Sequence, residues 1–169
     1  MSSPDTGRHS RAAGLQFEAT IYAMLKELVG LGCLACATKI EPEMRSVGRG
    51  GKPSFVPTKK QGPDFVVCSQ RREYLAIEVK YTKAEVFRRS PIPIHQSACL
   101  RSTDGMLAVG RGGTRFLIPF IDCPWKIARS AESLRFDDPL LRRYQFSDSA
   151  DLDRVISAHL DRRRRVFRP

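Results

Sequence analysis

Residues 75–83 read LAIEVKYTK, an apolar run that carries a glutamate and a lysine two positions apart. Side chains of a β-strand alternate in direction with period two. Leu75, Ile77, Val79 and Tyr81 therefore share one face, and Tyr74, Ala76, Glu78 and Lys80 the other. An ion pair at a sheet edge would account for the two charges. A metal-binding carboxylate beside a lysine that handles a water would do so equally. Just upstream, PDFVVC (63–68) forms a second short apolar strand, and the polar SQRRE between them makes the pair an antiparallel hairpin. Further on, MLAV (106–109) and TRFLIPF (114–120) flank a glycine turn and predict another strand pair.

The helical signal is concentrated near the N-terminus. From about Arg11 to Leu31, Leu15, Tyr22, Leu25 and Val29 recur at helical spacing, with Phe17, Ile21, Met24 and Leu28 beside them. Glu18 falls near the middle of this apolar arc, where a carboxylate is costly unless something compensates it. A helix is also predicted over about His95–Thr103. Another lies in DLDRVISAHLDRRRRVFRP, whose run of four arginines reads as a solvated basic tail able to touch phosphate. The pattern divides the chain into a flexible basic arm (1–10), one domain (11–150) and a basic C-terminal helix or tail (151–169). Within the domain, residues 41–63 are rich in Gly, Pro and basic residues and predict a long loop or protruding hairpin.

Charge narrows the partner class. The 169 residues carry 29 Lys and Arg against 18 Asp and Glu, a formal net charge of +11, which favours a polyanion and nucleic acid first. No stretch has the apolar length of a membrane span, and MSSPDTGRHSRAAG lacks the apolar core of a secretory signal, so a cytoplasmic protein without a membrane partner is expected. The five cysteines predict free thiols in a reducing compartment. Cys33 and Cys36 have metal-like spacing but no second ligand pair to complete a zinc site.

Three acids and a lysine then gain meaning together. Asp64 begins its strand and Glu78 lies near the end of the next, so a hairpin brings them close. The helix of Glu18 must pack on the same sheet. Converging carboxylates repel one another, and a divalent cation such as Mg²⁺, with Mn²⁺ as substitute, relieves this. Asp64, Glu78 and Val79 are the candidate metal ligands, and Glu18, Asp64, Glu78, Lys80 and Gln96 the candidate catalytic set. Arg11, Arg45, Arg49, Lys52, Lys59, Lys60, Lys83, Arg88 and Arg89 are the candidate contacts to nucleic acid.

The order Pro63-Asp64, then Glu78-Val79-Lys80, resembles the PD-(D/E)XK nuclease motif. The longer run KKQGPDFVVCSQRREYLAIEVKYTK…PIPIHQSACLR is similar to the core of the RecU-type Holliday junction resolvases. The matching features are Asp64, Glu78, Lys80, Thr82-Lys83, the VFRRSPIP stretch, and His95-Gln96 opening a helix, with Glu18 in the upstream GLQFE. The likeness covers about residues 11–120. It implies an α/β fold, a mixed sheet flanked by helices, of restriction-endonuclease-like type. It further implies a homodimeric, Mg²⁺-dependent endonuclease, bacterial or phage-encoded and nucleoid-associated, that nicks four-way or branched DNA without a small-molecule cofactor. The segment 41–63 sits where that family carries a stalk.

Overall fold

A computed structural model describes residues 4–42, 44–47, 54–57, 62–89, 92–123 and 133–166. Twelve helices and strands follow one another among the described residues. They are α1 (Pro4–Gly30), β1 (Leu34–Lys39), β2 (Met44–Val47), β3 (Ser54–Pro57), β4 (Phe65–Ser69), β5 (Tyr74–Tyr81), β6 (Val86–Arg88), α2 (Ile94–Ser102), β7 (Met106–Arg111), β8 (Thr114–Pro119), β9 (Ser133–Arg135) and α3 (Ser149–Val166). Short 3₁₀ turns occupy Phe120–Asp122 and Pro139–Tyr144.

Five strands form one mixed sheet in the order β1-β4-β5-β7-β8. The predicted hairpin is β4–β5, with Phe65 opposite Ile77 and Val67 opposite Leu75. β5 and β7 are parallel, and the other neighbours antiparallel. Parallel neighbours need a crossover, and α2 lies within it. The chain is thus mixed α/β, a mixed sheet flanked by helices.

The two faces of the sheet are covered differently. α1 packs on β1 and β5 and also meets α3. Its buried residues are Phe17, Ile21, Leu25 and Leu28, spaced by four, four and three, one stripe of a helix. Phe17 lies against Tyr81 and Tyr22 stacks on Phe65, so α1 covers the face of Phe65, Ile77 and Tyr81. Gly110 makes room for it: a Cβ there would lie 2.7 Å from the Phe17 ring. α2 packs on β5 from the other face, the one that carries Glu78.

Several elements differ from the sequence reading. α1 begins at Pro4, so residues 4–10 extend the helix rather than forming an arm. Leu15, expected in the apolar stripe, is exposed. β1 is a strand that apolar patterning did not predict, and it holds the outer place beside β4. The basic 41–63 segment, by contrast, agrees with one of the two forms expected of it, since part of it is a two-stranded hairpin, β2 with β3. The C-terminal arginines are not a free tail. Arg162 pairs with Asp122, Arg163 donates to the Tyr74 carbonyl at 3.0 Å, and Arg164 pairs with Glu73 at 3.2 Å. No helix among the described residues is long and apolar enough to cross a membrane.

Candidate active site

The alternation read from LAIEVKYTK is realised in β5. Glu78 is fully buried, and its Oε1 receives the Lys80 ammonium, whose side chain is 21 % exposed. Both project from the same face of one strand, two residues apart. A buried carboxylate is costly unless paired and hydrogen-bonded. Its position in the middle of the sheet rather than at an edge excludes a casual surface ion pair.

Asp64 stands where the hairpin predicts it. It is 7 % exposed, just before β4, and its Oδ2 accepts from the Val79 N–H at 2.7 Å. That amide is the peptide that joins Glu78 to Val79. The Asp64 carboxylate is therefore fixed beside the backbone of Glu78. The ladder partner of Ile77 is Phe65, so beyond it Asp64 takes over with its side chain the amide that lies past the end of β4. The Asp64 carbonyl in turn accepts from Ile40 N–H at 2.9 Å, which ties the position to the chain leaving β1.

α2 supplies the wall opposite. Because β5 and β7 are parallel, α2 runs back antiparallel to β5, and its first turn lies toward the end of β5 that carries Glu78 and Lys80. Gln96 is buried there, and its Oε1 meets no partner among the described residues. Cys99, one turn on, has its thiol pushed up by burial and by the negative charge of Glu78. Cys99 therefore stays protonated and marks the reach of that carboxylate. His95 is half-buried beside Gln96.

Glu18 is engaged by a different lysine. Its Oε1 pairs with Lys39 Nζ at 3.2 Å, and the same ammonium reaches Glu41 at 3.2 Å. The hydrogen bond to Glu18, then that to Glu41, pushes the Lys39 ammonium pKa up. Lys39 is the compensation that the apolar arc demanded of Glu18. It stands opposite Phe65, one residue from Asp64, so Glu18 flanks the site through Lys39. Among the described residues, no group of three or more His, Cys, Asp or Glu side chains is arranged as a metal cage.

The candidate phosphate contacts scatter. Arg11 is exposed on α1, Lys83 is exposed just after β5, and Arg88 and Arg89 are exposed at the end of β6. Arg45 belongs to β2. Arg49, Lys52, Lys59 and Lys60 lie outside the described residues. Sequence reasoning missed Lys39 and Cys99. The spacing of Cys99 from Gln96, three residues on a helix, is the one signal that could have found the second. A comparison with protein-family models and with curated proteins finds no match for the chain.

Proposed function

We propose that the chain is a divalent-metal-dependent endodeoxyribonuclease of the restriction-endonuclease-like PD-(D/E)XK fold. We further propose that it acts as a homodimer on four-way DNA junctions, resolving them by paired symmetric nicks in recombination or repair. The observation that carries the chemistry is the fixed trio at the end of the hairpin. A buried Glu78 and a half-buried Lys80 share one strand face, with Asp64 locked on the intervening amide. The junction substrate and the dimer rest on the resemblance of the motifs.

The donor set fits Mg²⁺ or Mn²⁺. Mg²⁺ takes oxygen ligands, keeps several waters, and is commonly bound by one or two carboxylates plus substrate phosphate. Asp64 and Glu78 supply two carboxylates, and Val79 offers its carbonyl between the strand's charges. When bound, such an ion polarises the phosphoryl oxygen and lowers the pKa of a water. The protein's own groups do the rest. The Val79 amide orients Asp64. Lys80, held against Glu78, places a positive charge where negative charge develops during phosphodiester attack. Gln96 presents a buried acceptor that can orient a water. The net charge of +11 draws the polyanion in.

The test is cleavage and binding of branched DNA by Asp64→Asn, Glu78→Gln and Lys80→Ala, measured side by side. Each variant is expected to lose cutting by about 100-fold or more while junction affinity stays within a few-fold. Cutting retained by all three variants would remove the proposed site.

A further inference from the structure

At the other end of the sheet lies a second concavity. Pro119, which lines it, stands opposite Met106 at the start of β7, whereas Lys80 stands opposite Val109. The two levels are three residues apart, about 10 Å along the strand. The cleft has a volume of about 290 Å³ and opens between the turn after β8, the Pro139–Tyr144 turn and α3. Its apolar lining is Pro119, Val155, Ala158 and the Tyr144 ring.

Its polar lining is cationic: Arg143, Arg154 and Arg162 against the single acid Asp122. Two of these arginines are committed. Arg162 pairs with Asp122, which also accepts from the Tyr144 hydroxyl at 2.6 Å. Arg154 donates to the carbonyls of Arg143 and Gln145 and pairs with Asp151. Arg143 is different. Its guanidinium lies 4.7 Å from the Tyr144 ring centroid and reaches that side chain and the charge of Asp122, but no carboxylate lies within ion-pair distance of it among the described residues. His159 lines the cleft and is 4 % exposed. Its Nε2 lies 2.9 Å from the Asp104 carbonyl and 3.6 Å from the Asp104 carboxylate, so that nitrogen carries the proton and the ring is held as part of the buried floor of the cleft.

We propose that this cleft binds a phosphate monoester with a flat, largely apolar body of mononucleotide size, free or as the phosphorylated end of a DNA strand. The phosphate sits on Arg143, beside the Tyr144 ring. The body covers Val155, Ala158 and Pro119. Inorganic phosphate satisfies the charge but leaves the apolar lining wet.

The experiment is calorimetric titration of the full chain with adenosine 5′-monophosphate, adenosine and inorganic phosphate. It is repeated on Arg143→Gln and Ala158→Phe, both exposed positions, with thermal unfolding as the control for folding. Adenosine 5′-monophosphate is expected to bind more tightly than either fragment, and each variant to weaken it about tenfold or more. Competition by a 5′-phosphorylated oligonucleotide, and not by its 5′-hydroxyl twin, identifies a strand end as the source. Absence of that competition identifies the free nucleotide. No binding, binding no tighter than phosphate alone, or binding unchanged in both variants would overturn the proposal. Glu78→Gln should bind the nucleotide as the parent does, so the outcome is independent of the nuclease reading.

Discussion

Replacing Lys80 with methionine keeps the length and apolar stem of the side chain and removes only the ammonium. Glu78 then remains, fully buried, without that charge partner. Deleting one partner of a buried ion pair typically costs about 3–5 kcal/mol, because the other charge stays desolvated. The Lys80 side chain is 21 % exposed, so part of that attraction is screened, and about 2–3 kcal/mol is expected. For a chain of this size that lowers the Tm by roughly 4–12 °C. Glu78→Gln, by contrast, removes the buried charge and should cost less than Lys80→Met. The double variant Glu78→Gln/Lys80→Met should recover most of the loss, as a double-mutant cycle in urea would show. The physical reason is that a strand centre is a poor place for a carboxylate that has lost its charge partner. If Lys80→Met costs less than about 0.5 kcal/mol, or the double variant falls by the sum of the singles, the coupling is absent and the reasoning fails.

Other outcomes follow from the same structure. Gly110→Ala places a Cβ within 2.7–2.9 Å of the buried Phe17 ring and should cost about 1–3 kcal/mol by thermal unfolding, relieved in part by Phe17→Leu. Burial raises the pKa of Asp122, but Arg162 and Tyr144 outweigh it and hold the carboxyl below its usual range. Its contribution is therefore present above the unfolded value of about 3.9 and lost as the pH falls through the folded one, so Asp122→Asn should flatten the acid limb of stability against pH. Tyr144 is pushed up to about 12, by burial first and then by Asp122. Its contribution is full below about pH 10 and lost as the pH rises through the folded value, and Tyr144→Phe should remove that alkaline slope in equilibrium unfolding. Arg163→Ala removes the bond to the Tyr74 carbonyl and should cost about 1–2 kcal/mol, whereas Arg165→Ala, at an exposed position, should stay within about 0.5 kcal/mol.

The elements that read clearly from the sequence are those whose partners are near in the chain. The β4–β5 hairpin carries its signal in two apolar runs and a short polar link, and the shared face of Glu78 and Lys80 follows from alternation alone. Asp64 beside Val79 follows from hairpin geometry. β1 was not legible because LACATK has small residues and no clean alternation; its register breaks between Leu34 and Cys36, and β4 decides its place. β6 and β9 are three residues each and meet across more than forty positions. No local pattern announces such a pair. Glu18 reads as an acid needing compensation, but the compensating charge comes from Lys39 on that unpredicted strand. The arginine run misled for a similar reason: Asp104, Asp122 and Glu73, which meet its members, sit at the ends of distant strands.

The central claim is tested most directly by incubating the protein with a mobile four-way DNA junction and with a linear duplex of the same strands, each with Mg²⁺ and with EDTA. The products are mapped on a denaturing gel. Paired, symmetric nicks near the branch point, dependent on Mg²⁺ and absent from the duplex, are the predicted result. Equal cutting of the linear duplex would keep the chemistry of Asp64, Glu78 and Lys80 but contradict the junction. Binding without cutting under Mg²⁺ or Mn²⁺ would contradict the account, and leave Glu78 and Lys80 as a buried ion pair and nothing more.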